Sequence, residues 1–459
     1  MTLFKKGTPF VRSWSISLMA FAFLTVSAGA STFTTARITN DSIVDVEPTV
    51  VRQTASGVTA TIMGYISYPS GPTGAPRNTY VSRGDDGLTF SGMLSIPETK
   101  LWTYSADPYL APNQTEKAVH PERTYMVGTL GSLNWNGGAP TGIAVWTSDD
   151  AGRNWSAPTV IASTTPTSPN STDKPHIGIS QHSSSYGYVY VAYLQKYSMN
   201  GQTRYGIRVA RSTDGDNWYG AAFGEDVEIY SSTNQMNCAQ VVVAPANGYV
   251  YVTWVDFGTN RIMLARSPAP AVISGSWTID NTGPTGDFYA PGAILNGGVR
   301  AITVPVTRYN WKTNKIIVVW HERGAEGSAD VYVAAKGTTG WQAKQKISNE
   351  ALCPMGSTAD QWRPAVDFRS NGELYITYYD RQGDCANDSL YDLYFVRLGN
   401  GNPFSVLEGP SRVSTFQSNP FNNNRILGEY HELWCDAFIC YSAWIGADTQ
   451  GDLFLTTIQ

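Results

Sequence analysis

The chain of 459 residues carries 43 Gly, 25 Pro, 26 Tyr and 14 Trp, while only 15% of its positions are charged. This excludes disordered and coiled-coil chains, which need more charge and fewer aromatics. With 32 basic against 37 acidic residues and no local basic stripe, nucleic acid is excluded as a partner. Turn formers and aromatics at modest hydrophobicity predict an all-β protein.

The N-terminus reads as an export signal. Lys5, Lys6 and Arg12 form a basic region, Ser15 to Val26 an apolar stretch, and Ser27-Ala28-Gly29-Ala30 a small-residue cleavage site. Residues 1–30 are therefore expected to be a signal peptide and residues 31–459 the mature, secreted or periplasmic domain. The apolar run is short for a membrane anchor, and no later segment is apolar enough to span a bilayer.

From there the chain repeats with a period of about 64 residues. Seven units begin at Glu47-Pro48, Asp107-Pro108, Lys174-Pro175, Cys238-Ala239, Val304-Pro305, Arg363-Pro364 and Gly428-Glu429. Each continues into an alternating aromatic and β-branched strand, from Val58–Ile66 in the first unit to Phe438–Trp444 in the last. A third strand follows, from Thr79–Ser82 to Asp452–Ile458. Six units end in a fourth strand, such as Gln345–Asn349 or Ser411–Thr415; the seventh stops at Gln459 without one. Ala36–Asn40, ahead of the first unit, matches the missing strand. The expected fold is a β-propeller of seven blades, or six if one unit is an insertion, with the ring closed by an N-terminal strand.

Five cysteines suit an oxidising compartment. Cys435 and Cys440 flank a short apolar stretch, Cys353 and Cys385 bracket one unit, and Cys238 is alone. Two bridges and one buried thiol are expected, with no zinc site.

After the third strand a short motif recurs. Ser148-Asp149-Asp150-Ala151-Gly152-Arg153-Asn154-Trp155 is followed one unit later by Ser212-Thr213-Asp214-Gly215-Asp216-Asn217-Trp218. Asp85 to Phe90 matches without the leading Ser, and Gly275-Ser276-Trp277, Gly340-Trp341 and Asn402-Pro403-Phe404 keep fragments. A carboxylate in such a turn accepts backbone N–H bonds, Gly permits positive φ, and the ring packs between strands. The motif resembles the Asp-box, or bacterial neuraminidase repeat, of the sialidase superfamily, over nearly all of the mature chain. The resemblance implies that Asp150 and Asp214 lie on the rim, away from the active site. The Phe/Tyr-Arg-Ile-Pro motif of true sialidases is absent, so the resemblance supports a sialidase-like chain more than a sialidase. By position alone, Arg308, Arg363 and Arg425 are open to form an Arg triad.

Polar residues at the unit starts and after the second strands are the candidates for chemistry. Glu47, Asp107 and Glu429 occupy equivalent starts and would ring the channel, offering the acid and base that glycoside cleavage requires. Asp107 and Glu47 are the expected acid and base. Tyr379 with Glu429 is the nucleophile pair that the sialidase resemblance implies. Arg363 is expected to clamp an anionic group, and His176 lies close by. In Tyr378-Tyr379-Asp380-Arg381, Asp380 and Arg381 either contact the sugar or bridge to each other. No cofactor or metal is expected. The predicted function is a secreted, monomeric glycoside hydrolase acting on extracellular glycan or polysaccharide. The alternatives are a non-catalytic glycan- or protein-binding propeller and a polysaccharide lyase.

Overall fold

Each blade of the computed structural model is an antiparallel meander, and the described strands fall into seven such sheets arranged as a propeller. The structure describes residues 30–459 apart from 41–43, 69–77, 86–88, 98–103, 115–117, 132–140, 165–169, 220–225, 270–275, 350–352, 355–357, 421–426 and 448–450. The signal segment, Asp86 to Leu88 of the third motif, Gly275 and Arg425 lie outside the described residues. The innermost strands of blades one to seven are Val44–Ala55, Tyr104–Pro112, Ser171–Ile179, Met236–Val243, Val306–Asn310, Gln361–Phe368 and Glu432–Cys435.

Strands inside a blade are covered on both faces, because a neighbouring blade packs against each. Thr124–Gly131 and Leu374–Asp380 are accordingly buried at every position. One core joins Val306, Ile317 and Val333 of blade five to Val366, Ile376 and Val396 of blade six. Another joins Ile62 and Val81 of blade one to Met126 and Trp146 of blade two. Each such aliphatic side chain contributes about 1.5–3 kcal/mol relative to exposure. Trp146, Trp254, Trp320 and Trp444 fill these seams without exposed surface.

The closing strand is Phe33–Arg37, three residues earlier than the expected Ala36–Asn40. It pairs with Gly451–Ile458 from Phe33 opposite Ile458 to Arg37 opposite Phe454. Beyond Arg37 the ladder ends, because the N–H groups of Ile38 and Thr39 share one acceptor, the Leu453 carbonyl. Arg37 pairs with buried Asp452, and the Thr39 hydroxyl accepts the Leu453 N–H at 2.8 Å. The fourth strand expected at Gln345–Asn349 is reduced to Gln345–Lys346, and that at Ser411–Thr415 is instead Val406–Arg412.

Cys353 bonds to Cys385 and Cys435 to Cys440, while Cys238 is a buried thiol. Cys435 and Cys440 face each other across the blade-seven hairpin, clipping its four-residue inner strand. No described helix is long and apolar enough to cross a membrane.

The two complete turn motifs share one hydrogen-bond scheme. Asp150 Oδ1 accepts the Ser148 hydroxyl and the Asn154 N–H, both at 2.9 Å, and Ser148 Oγ accepts the Gly152 N–H at 2.9 Å. Asp214 accepts the Ser212 hydroxyl at 3.1 Å and the Asn217 N–H at 2.8 Å. Gly152 and Gly215 have φ of 84° and 85°, where any Cβ is strained. Trp155 and Trp218 are buried beneath them.

Two stability outcomes follow from these contacts. Removing residues 31–42 unpairs the outer edge of blade seven, so the truncated chain melts below the intact mature chain in a thermal scan. Asp150 and Asp214 are partly exposed, so Asp150→Ala and Asp214→Ala each cost about 0.5–1.5 kcal/mol in denaturant titrations. Both leave glycan binding or turnover unchanged per folded molecule.

Candidate functional site

Five non-glycine residues take a left-handed backbone at equivalent points of five inner strands. They are Glu47 (φ 54°), Asp107 (52°), Lys174 (47°), Cys238 (62°) and Arg363 (49°). At each, the pairing register slips by one residue, between Val46 and Thr49, Ala106 and Tyr109, Asp173 and His176, Asn237 and Gln240, and Trp362 and Ala365. These are β-bulges, which re-aim a side chain that a regular strand would direct into a blade face. Four of the five precede Pro, which disfavours any helical backbone in the preceding residue. Strain of this kind costs about 1–3 kcal/mol per residue and accompanies functional sites. Blade seven has no such bulge in its ladder, which begins only at Glu432; the left-handed Gly428 (φ 75°) lies ahead of it. Blade five lacks the bulge, since its inner strand begins only at Val306, beyond Val304-Pro305.

The bulges of blades one, two and three bring their side chains to one point, where Glu429 joins them from the segment ahead of the blade-seven inner strand. Lys174 Nζ lies 3.1 Å from Glu47 Oε1, 2.5 Å from Asp107 Oδ1 and 3.0 Å from Glu429 Oε2. All four side chains are at most 14% exposed, yet Arg300, 2.9 Å from Glu429 Oε1, is 58% exposed. Glu429 therefore marks where the cluster meets solvent. The Thr129 hydroxyl donates to Asp107 Oδ2 at 2.9 Å, and Lys174 sits over the Tyr430 ring. Asn237 donates to Asp173 at 3.1 Å beside the cluster.

Two carboxyls of the cluster are pushed in opposite directions. Burial raises Glu47 well above the usual carboxylate range; Lys174 opposes this, and Asp107 and Glu429 add to it. Burial also acts on Glu429, but Lys174 and Arg300 outweigh it and hold its pKa below the ordinary value. Asp173 is pushed up to about 6, chiefly by burial. Burial disfavours the Lys174 ammonium, but Asp107, Glu429, Glu47 and Asp173 together keep it charged, with its pKa well above normal. One carboxyl that keeps its proton beside one that loses it is the arrangement acid–base chemistry uses.

Arg363 is 2% exposed and donates from Nη2 to the Arg300 carbonyl at 2.6 Å. Among the described residues its buried Nε and Nη1 have no hydrogen-bond acceptor. Glu429 and Glu47 are among the charges that act on it.

The other expected residues lie elsewhere. The Tyr379 hydroxyl accepts the Ile445 N–H at 3.0 Å, its ring packs on Trp362, Tyr391 and His431, and burial pushes its pKa up to about 12. No hydrogen bond joins it to Glu429 among the described residues. Asp380 accepts from the Gln382 backbone and side chain at 2.7 and 2.9 Å. Arg381, fully buried, donates to the Asn296 carbonyl at 2.7 Å and pairs with Asp360 at 3.2 Å. Among the described residues no ion pair joins Asp380 to Arg381, and each orders its own loop. His176 is two residues past the bulge, further along the axis, where Nδ1 accepts the Val241 N–H at 3.2 Å. Burial and Arg308 hold it well below its ordinary pKa, as a neutral ring. Arg308 pairs with Glu432 and not with Arg363's partners.

Lys174 was visible in the sequence as a unit start equivalent to Glu47 and Asp107, though its bridging role was not. Arg300 had no signal, because it lies in the irregular stretch ahead of blade five.

No protein-family model matches the chain, and no curated protein does. Among solved structures it is similar to the Hadza microbial sialidase Hz136, at 14% identity over 90% of this chain and 65% of that one, with a TM-score of 0.43. It is similar to the GH43 endo-arabinanase from Bacillus licheniformis, at 14% identity over 67% of this chain and 99% of that one, with a TM-score of 0.36. A third is Trypanosoma rangeli sialidase in complex with the inhibitor DANA, at 12% identity, 80% and 59% coverage, and a TM-score of 0.43. The chain spans less than two thirds of either sialidase.

Removing the shared cation exposes the design of the cluster. Lys174→Met leaves three neighbouring carboxyls without their ammonium and costs about 3–5 kcal/mol near neutral pH. Without Lys174, Glu429 binds a proton more readily. The melting difference from the parent chain therefore narrows as pH falls, which a pH series of thermal scans reads directly.

Proposed function

We propose that the protein is a secreted glycoside hydrolase acting on extracellular glycan, with the bulge ring as its active site. The observation that carries this reading is the opposed pair around one ammonium at the solvent-facing end of the axis, Glu47 with its pKa raised and Glu429 with its pKa lowered. Glycoside cleavage requires a carboxylic acid to protonate the departing oxygen and a carboxylate to act at the anomeric carbon. Glu47 suits the first role. Glu429, with Asp107 beside it, suits the second. The unpaired donors of Arg363 would hold a substrate hydroxyl or carboxylate. Tyr379, Asp380, Arg381 and His176 belong to the walls in this reading. Two disulfides agree with an extracellular setting.

A second reading is a non-catalytic glycan-binding propeller, because Lys174 engages all three carboxyls at once and a purely structural hub would do the same.

Reducing-sugar release from a panel of neutral and anionic extracellular glycans separates the two. The hydrolase reading expects cleavage of at least one glycan. Glu47→Gln and Glu429→Gln, each folded, lower kcat/KM by at least about 100-fold. Arg363→Ala and Asp107→Asn lower it by at least about tenfold. The pH profile is a bell: activity falls in acid as Glu429 gains its proton, below the ordinary glutamate value. It falls in base as Glu47 loses its proton, well above that value. If every glycan is left intact while some bind, the second reading replaces the first.

A further inference from the structure

Further along the same inner strands, past the carboxyl ring, residues of all seven blades line a cavity of 450 Å³. The volume lies within the range of about 300–1,000 Å³ common to small-ligand pockets. Its polar groups are held by the structure around them. Arg308 is paired with Glu432, whose Oε2 accepts the Thr49 hydroxyl at 2.8 Å. Asp367 accepts the Cys435 N–H at 2.7 Å. His176, 4% exposed, uses Nδ1 on the Val241 backbone and leaves Nε2 without a partner among the described residues. At the rim stands Trp311, 49% exposed, with Trp434 half-buried on the wall.

This set discriminates among ligands by charge. Burial pushes Glu432 up to about 7 and Asp367 up to about 6, with Arg308 opposing both. One guanidinium thus faces two carboxyls that are readily protonated, and the lining carries little net charge. An anion entering the cavity would meet both carboxyls, and a cation would meet Arg308; either leaves a buried charge opposed. A sugar hydroxyl both donates and accepts, so it suits a mixed lining of N–H donors and carboxyl oxygens. Indole faces complement the C–H faces of a sugar ring.

We propose that this cavity is a second glycan site, one that binds a neutral sugar unit apart from the carboxyl ring. The choice of ligand class rests on the glycan reading above, but the inference does not require hydrolysis.

Tryptophan fluorescence of the full mature chain tests it. The neutral probes are cellotriose, xylotriose and arabinotriose; the charged ones are tri-galacturonate and fully deacetylated chitotriose. At least one neutral trisaccharide should give a saturable change below about 10 mM, and each charged probe should bind at least tenfold more weakly. Trp311→Ala alters an exposed side chain and should weaken the neutral sugar at least tenfold, with partial recovery in Trp311→Tyr. Glu47→Gln should bind that sugar as the parent does, whether or not the parent hydrolyses glycan. The proposal is overturned if no neutral probe saturates, if a charged probe binds as tightly, if Trp311→Ala changes nothing, or if Glu47→Gln abolishes the signal. Hydrolysis without this binding removes the second site alone; binding without hydrolysis removes the hydrolase reading alone.

Discussion

The left-handed residue at the inner-strand bulge governs the centre of this molecule. A regular strand sends its side chains alternately to its two faces, and in a propeller both faces belong to neighbouring blades. Its inner edge faces the axis with backbone groups alone. An extra residue in left-handed conformation breaks that alternation, and the side chain leaves the blade seam. Glu47, Asp107, Lys174, Cys238 and Arg363 all sit at such points. Strain at each is sustained by seams of buried aliphatic and indole side chains on both sides.

Once carboxyls are gathered at the axis, their mutual repulsion and desolvation must be offset. Lys174 does this from blade three, touching acids of blades one, two and seven, so the blades are tied electrostatically at their centre. Among the described residues Arg300 pairs with Glu429 and with neither Glu47 nor Asp107, so the acids are not equivalent, and their pKa values shift in opposite directions. A few residues further along, the same strands carry a different balance: Arg308 against Glu432 and Asp367, with neutral His176 and an aromatic rim. Two chemically distinct environments thus share one axis, because successive axial levels of the inner strands carry different residues.

Ring closure and turn chemistry keep this centre in register. Phe33–Arg37 completes blade seven, so the first and last segments of the described chain share a sheet. The Asp150 and Asp214 turns lie after third strands, at the end opposite the bulges, where they fix hairpins and touch none of the axial groups.

The sequence by itself determined the architecture. Alternating strands recur in all seven units, X-Pro starts in five and the complete turn motif in two, and such local patterns at one period define blades. It also marked Glu47, Asp107 and Glu429 as unit starts and led to two bridges and one thiol, but the connectivity of the cysteines came from the structure. Tertiary structure decided what equivalence means for each residue. Tyr379, Asp380 and Arg381 looked as suited to a site as Glu47, but Tyr379 and Asp380 end a regular second strand and Arg381 follows it, and their bonds run to the neighbouring backbone and loops. Lys174 and Arg300 acquired their roles through contacts between residues 67 or more positions apart, which join different blades and which no local pattern records. The protonation of Glu47 and Glu429 likewise depends on burial and on which cation each one meets, and both are properties of the closed ring.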